Sequence, residues 1–247
     1  MKKLNVVIPM AGMGKRFMKA GYTTPKPFLN VGGKMMIERV IENLTFPNRD
    51  VHYHLVALIR HRDYMEGIVS GSPEKNIEVS YSSGTFEGAL IDVLNVRKEI
   101  ENGDELLIAN SDQILDWETK QFITFLDKHS CIDGVIVTFN ANEGRWSYAK
   151  TDGHGVVTEV AEKVVISENA TVGLYWFRHG ADFVESADSL IHKDIRVGKE
   201  FYVCPVFNEM VSNLQKKVVI YPIPSQSMHG LGIPEDYEKY LEKEGFR

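Results

Sequence analysis

The stretch that most constrains this chain is residues 6–17 (VVIPMAGMGKRF), with its sequel at 22–27 (YTTPKP). A short apolar run bounded by turn residues reads as a buried strand. It stops at Gly12 and Gly14, and Lys15 and Arg16 follow at once, while Lys26 stands between Pro25 and Pro27. Glycines let backbone N–H groups approach a ligand closely, and successive backbone N–H groups make an anion-binding concavity. Lysine and arginine add positive charge for phosphate oxygens. The implied object is a triphosphate-holding loop at the carboxyl end of a first strand. Met10, Ala11, Gly12 and Gly14 form its backbone, and Arg16 and Lys26 are its cations. The plainer alternative is a glycine-rich turn with solvated basic residues.

Two look-alikes are excluded by spelling. A dinucleotide fingerprint requires G-x-G-x-x-G with an acid some 20 residues on. Here Phe17 holds the third glycine position, and Gly32-Gly33 stand where the acid belongs. A Walker loop ends in Gly-Lys-Ser/Thr, whereas Gly14-Lys15 is followed by Arg16.

Composition narrows the partners. The 247 residues suit one large α/β domain or two small ones. A net charge of −6 opposes a general nucleic-acid binder, which needs a basic surface. No apolar run is long enough to span a bilayer, so a cytoplasmic protein is expected. Cys131 and Cys204 lack metal-ligand spacing and sit among apolar residues, which reads as reduced and buried. Oligomeric state is left open.

Taken in order, strands are expected at 4–10, 52–60, 77–81 and 105–110, with helices at 35–44, 63–69, 88–100 and 119–128 between and after them. That alternation gives a Rossmann-like, mostly parallel sheet with helices on both faces, to which 134–140 adds another strand. His52 and His54 share a face of the second strand, where no carboxylate or cysteine completes a metal site. The fourth strand delivers Asn110-Ser111-Asp112 to the crevice that the first loop faces. Magnesium takes one or two carboxylates plus substrate phosphates, so Asp112 is the expected Mg²⁺ ligand. Asp116 is a weaker candidate for the metal, or a helix cap. The second half is richer in β-structure. A hairpin is expected at 146–150 and 156–160 around Asp152-Gly153, and a strand at 170–177. A helix follows at 182–191, and the stretch 200–209 leads into another. A strand at 218–223 and a helix from Pro234 end the chain, the acids behind that proline reading as dipole caps. The aromatic run around Tyr202 walls an acceptor pocket or packs in the core.

A-G-x-G-x-R followed by T-P-K-P resembles the signature of the nucleotide-sugar pyrophosphorylase (sugar-1-phosphate nucleotidyltransferase) superfamily. Arg16-Phe17 and Tyr22-Thr23-Thr24-Pro25-Lys26 look most like its small cytidylyltransferase branch, which includes enzymes acting on phosphocholine and phosphoglutamine. The resemblance implies a single nucleotidyltransferase domain with a smaller β-rich acceptor region, its nucleotide-binding half over 1–140 and its acceptor-binding half over 141–247. It places Gly88 against the nucleobase with Ser83 or Glu87 reading its edge; otherwise Ser83 or Thr85 caps a helix. It also implies Asn110 beside the nucleotide, Mg²⁺ on Asp112, Lys163 on the acceptor phosphate, Glu162 on the acceptor body, and Tyr148 where the family has its tyrosine. The family's second metal-binding aspartate falls on Gly230, a departure from the pattern. The expected partners are a nucleoside triphosphate and a small phosphorylated acceptor, with pyrophosphate as leaving group and a role in capsule or surface polysaccharide synthesis. Rivals are a glycosyltransferase, which normally shows an Asp-x-Asp motif, and a nucleotide sensor without turnover.

Overall fold

The apolar runs become the strands of one sheet in a computed structural model of the chain, which describes residues 1–72, 75–84 and 87–246. In chain order the first half contains β1 (Lys2–Pro9), α1 (Lys15–Lys19), β2 (Asn30–Val31), β3 (Lys34–Met35), α2 (Met36–Asn43), β4 (Arg49–Leu58), α3 (Arg62–Gly71), β5 (Asn76–Ser82), α4 (Ala89–Leu94), α5 (Arg97–Ile100), β6 (Glu105–Ala109), β7 (Gln113–Leu115), α6 (Thr119–Lys128) and β8 (Gly134–Asn140). The second half contains β9 (Ser147–Thr151), β10 (Val157–Glu162), β11 (Asn169–Phe177), α7 (Gly180–His192), α8 (Val206–Ser212), β12 (Val218–Pro222), β13 (Met228–Gly230) and α9 (Pro234–Lys243).

Nine strands make the main sheet, in the order β10-β9-β11-β6-β1-β4-β5, with β8 on the other edge of β11 and β12 beyond it. Strands β1, β4, β5, β6, β8, β9 and β12 run one way; β10 and β11 run against them. The sheet is therefore mostly parallel, as expected. One neighbour relation differs from a simple alternating series: antiparallel β11 inserts between β6 and β8. All three strands are buried on both faces, and a continuous apolar run carries no signal of which neighbour it takes.

Alternation along β1 divides the core. Leu4, Val6 and Ile8 pack with Ile37, Met65 and Phe122 on one face, while Val7 packs with Leu90, Val93, Phe183 and Phe207 on the other. The predicted α2 stripe of Met36, Ile37, Val40, Ile41 and Leu44 is buried throughout. The single helix expected over 88–100 is two short ones, α4 and α5. Asp152 organises the β9–β10 turn, its Oδ1 accepting from the backbone N–H groups of His154 and Val156 at 2.8 and 3.0 Å. Cys204 is buried as expected, but Cys131 is exposed on the loop after α6.

Two features bring the end of the chain to its beginning. β13 pairs antiparallel with β7, setting Gly230 opposite Gln113. A smaller core of Phe17, Met36, Ile114, Leu231, Tyr237 and Leu241 lies beneath the first loop. Within it the rings of Phe17, Tyr22 and Tyr237 meet edge to face at 5.3 to 6.0 Å. Neither β7 nor β13 is predicted from the sequence; at three residues each they are too short for period-2 alternation to register.

Candidate active site

The carboxyl ends of β1 and β6 are neighbours in the sheet and open on one crevice. Two adjoining cavities occupy it, of about 580 and 530 Å³. Arg16, Lys26, Asn110, Asp112 and Gly232 line both. Met10, Ala11, Gly12 and Gly14 line only the first cavity, so the expected phosphate loop and its two cations are assembled together. Gly14 takes φ 60°, a left-handed conformation that starts the short α1 and that glycine adopts without steric cost.

The two cavities meet at an ion pair. Lys26 Nζ lies 2.6 Å from Asp112 Oδ2, both side chains about one-fifth exposed. The C-terminal segment buttresses it: the Leu231 N–H donates to the Asp112 carbonyl at 2.7 Å, and a Cβ on Gly232 would come within 3.0 Å of Asp112 Oδ2. Among the described residues no three His, Cys, Asp or Glu side chains group as a metal site. The donors present are one carboxylate and neighbouring amides. They do not make an all-protein cage, but they do fit a Mg²⁺ ion shared with substrate phosphates. Gly230 borders the second cavity against Trp146 and Met228. Asp116 lies apart from the crevice, paired with His229 at 2.7 Å.

On the far wall of the first cavity, Gly88 has φ 104° and a Cβ there would meet the Phe201 carbonyl oxygen at 2.3 Å. The Leu90 N–H donates to that carbonyl at 3.2 Å and the Phe201 N–H to the Glu87 carbonyl at 2.6 Å. This stitching turns Gly88, Ala89 and Asp92 to the cavity. Ser83 and Glu87 do not line it; both are exposed on the connecting loop. That corrects the expectation that one of them reaches the ligand from the loop as it stands. Thr85 lies outside the described residues.

The second cavity is lined by both Glu162, the last residue of β10, and Lys163, which follows it. Ser147 Oγ–H donates to Glu162 Oε2, and burial raises the carboxyl above the usual range. Lys163 has φ 58°, uncommon for a side chain larger than glycine, and its ammonium donates to the Tyr202 hydroxyl while lying 4.3 Å from that ring's centre. The Tyr202 hydroxyl donates in turn to Glu200 Oε2 at 2.6 Å. Tyr202 thus lines the first cavity, not the second, and reaches the acceptor side only through Lys163. Tyr148 is a second correction. Its ring is fully buried and its hydroxyl donates to the Glu143 carbonyl at 2.7 Å. Adjacent residues of a strand face opposite sides, so Ser147 takes the cavity position.

Sequence reading misses Asp92, Arg145 and Asp236. Arg145 stacks on Trp146 at 4.5 Å and pairs with Asp236 of α9 at 2.6 Å, on the wall of the second cavity. The proline-led acids of α9 read as caps because their partner is 91 positions away in sequence.

A glycine loop at the end of β1, a carboxylate after β6 and a Rossmann-like, mostly parallel sheet define the class as the nucleotidyltransferase fold. The chain belongs to the nucleotidyl transferase family, which it matches over residues 5–194. It is 23% identical over 195 residues to the mannose-1-phosphate guanylyltransferase catalytic subunit beta of Drosophila melanogaster, covering 76% of this chain. The chain spans about half of that relative's length (52%). Among solved structures, a nucleoside-diphosphate-sugar pyrophosphorylase from Vibrio cholerae RC9 superposes with a TM-score of 0.82 at 23% identity, over 96% of this chain and 99% of the other. The inositol-1-phosphate CTP transferase from T. maritima superposes with a TM-score of 0.73 at 11% identity, over 98% and 96%.

Proposed function

We propose that this protein transfers a nucleoside monophosphate, CMP from CTP, onto a small phosphorylated acceptor and releases pyrophosphate. The observation that carries the reading is the junction of two cavities at Lys26 and Asp112, with the glycine loop on one side and Glu162 and Lys163 on the other. The triphosphate lies along the loop, and the acceptor phosphate comes from the second cavity. An acceptor oxygen attacks the α-phosphorus in line. The bond from that phosphorus to the bridging oxygen breaks, and pyrophosphate leaves with the electron pair.

The attacking phosphate is already ionised, so little acid–base chemistry is needed and catalysis is mainly positioning and charge stabilisation. The backbone N–H groups around Gly12 and Gly14 hold the phosphates. Arg16 takes the charge that develops on the leaving pyrophosphate. Lys26 leaves Asp112 for the α-phosphate, with Pro25 and Pro27 stiffening its approach. Asp112, with the triphosphate's own oxygens, would hold Mg²⁺, which would supply charge neutralisation at the phosphates. Glu162 and Lys163 hold the acceptor body and phosphate.

The choice of CTP rests on the spelling of the first loop, and a place in capsule or surface polysaccharide synthesis rests on the same resemblance. A sugar 1-phosphate acceptor with UTP, GTP or dTTP is the second reading, favoured by the fold shared with the Vibrio cholerae pyrophosphorylase. Pyrophosphate release decides between them. The protein is incubated with Mg²⁺, each ribonucleoside triphosphate or dTTP, and a panel of sugar 1-phosphates, phosphocholine and phosphoglutamine. Release with one triphosphate and one acceptor identifies both. Triphosphate binding without release across the panel overturns the enzyme reading in favour of a sensor.

A further inference from the structure

The first turn of α4 carries an acid that the scheme above leaves unused. Asp92 is only 7% exposed, yet it lines the first cavity beside Gly88 and Ala89. Its neighbours Leu90 and Val93 belong to the apolar core. Among the described residues Asp92 Oδ1 has no hydrogen-bond partner. An acid in a first helical turn can serve the helix dipole from an exposed position, where it stays hydrated. Buried without a donor, the same group loses hydration with no return, and buried polar atoms are nearly always paired. Burial accordingly pushes this carboxyl up to about 6. The cavity is the open side from which a donor can come. A carboxyl turns readily about its last torsion, so either oxygen can face it.

What the cavity would supply is fixed by the position of Asp92 on the same wall as Gly88. With the phosphates on the first loop, as proposed above, the nucleoside end of a triphosphate is read against the start of α4, which lines the same cavity. We infer that Asp92 selects the base by accepting a hydrogen bond from an exocyclic amino group. The inference rests on the reading of this cavity as the triphosphate site. Carboxylates pair with the cytosine N4 amino group, and adenine and guanine also carry amino donors. Uracil and thymine present a carbonyl oxygen where cytosine has its amino group. Against Asp92 that sets acceptor on acceptor and leaves the buried carboxyl unpaired. A site built to hydrogen-bond one group rejects the analogue lacking it by far more than an apolar pocket does.

Calorimetric titration of the intact protein with CTP, GTP, ATP, UTP and dTTP tests this, in the wild type, Asp92→Asn and Asp92→Ala. The expected result is at least about a hundredfold tighter binding of an amino-bearing base than of UTP and dTTP. In Asp92→Asn, whose amide can donate to a carbonyl, that ratio falls by tenfold or more, and Asp92→Ala weakens the favoured triphosphate most. Equal wild-type affinity for UTP overturns the inference even if neither variant folds. So does an unchanged ratio in Asp92→Asn, or an equal loss across all five triphosphates, which would indicate a ribose contact or a structural role. If the wild type binds no triphosphate, the cavity assignment itself fails, and the inference with it.

Discussion

Lys26 and Asp112 hold each other at 2.6 Å, although they lie 86 positions apart in sequence. The pair lies where the two cavities meet. Under the proposed reaction the ammonium would be exchanged from a carboxylate to a phosphate oxygen, so no cation would have to be desolvated afresh, and the carboxylate would be freed for a cation brought in with the triphosphate.

Removing the ammonium therefore costs rate more than affinity. Lys26→Ala is expected to lower kcat by a factor on the order of 10² to 10³, the range seen for loss of one transition-state donor. Pyrophosphate release at saturating substrates is the measurement. A variant with unchanged kcat and raised KM would show that Lys26 only holds the ground state.

Lys163 acts on the other side. Lys163→Met is expected to raise the acceptor KM by about ten- to a hundredfold while triphosphate affinity by calorimetry stays within twofold, because the loss is one charge-assisted contact to a phosphate. A fall in triphosphate affinity of the same size would reassign Lys163, through Tyr202, to the first cavity.

Tyr148 separates resemblance from placement. Its hydroxyl is spent on the Glu143 carbonyl. Tyr148→Phe is expected to lower stability by about 1 kcal/mol, the net worth of one hydrogen bond, and to leave both KM values unchanged. Urea unfolding and steady-state kinetics check the two halves of that statement.

Gly88→Ala tests the wall against Phe201. A methyl group there meets backbone at 2.3 Å in a conformation closed to most side chains. A loss on the order of 3 kcal/mol is expected, together with loss of triphosphate binding, because the start of α4 must move. Thermal unfolding and calorimetry report these; a variant as stable as the parent would mean that the loop relaxes freely.

Asp92 also sets a pH dependence of the unliganded protein. Its folded carboxyl titrates at about 6 rather than 3.8, so between those values the folded state binds more protons than the unfolded one. The neutral form's advantage is complete below about 3.8 and is lost as pH rises through about 6. Asp92→Asn, which cannot ionise, is expected to gain on the wild type as pH rises from 4 to 8. The gain is on the order of 1–2 kcal/mol, less than the full shift implies because water reaches the adjoining cavity. Parallel melts across that range check it, and a constant difference between the two proteins would refute it.

The parts of the site that were legible in the sequence are those whose chemistry is local. Gly12, Gly14, Arg16 and Lys26 belong to one loop, and Asp112 follows a strand whose apolar run is unmistakable. Side-chain direction was harder. Ser147 and Tyr148 differ by one position, and a register of one residue decides which enters the cavity. Glu87 is placed by the hydrogen bond that its carbonyl accepts from the Phe201 N–H, over 100 positions away. Asp92 was hidden because an acid in a first helical turn has an ordinary explanation. Of the sheet, the parallel strands at 49–58, 76–82 and 105–109 were readable from their apolar runs. The insertion of β11 between β6 and β8 was not, since it depends on edges that present the same apolar residues.

The pairing of β13 with β7, and the packing of Tyr237 on Phe17, give the order of synthesis a physical meaning. The first loop is made before β13 and α9, and its supporting strand can pair with β4 and β6 before either of them exists. Its floor cannot close until residues near 241 have cleared the exit tunnel, because Leu231, Tyr237 and Leu241 supply it. A nascent chain that stops before α9 would carry the whole first loop and still lack the platform beneath it, so the loop's final shape would arrive with α9.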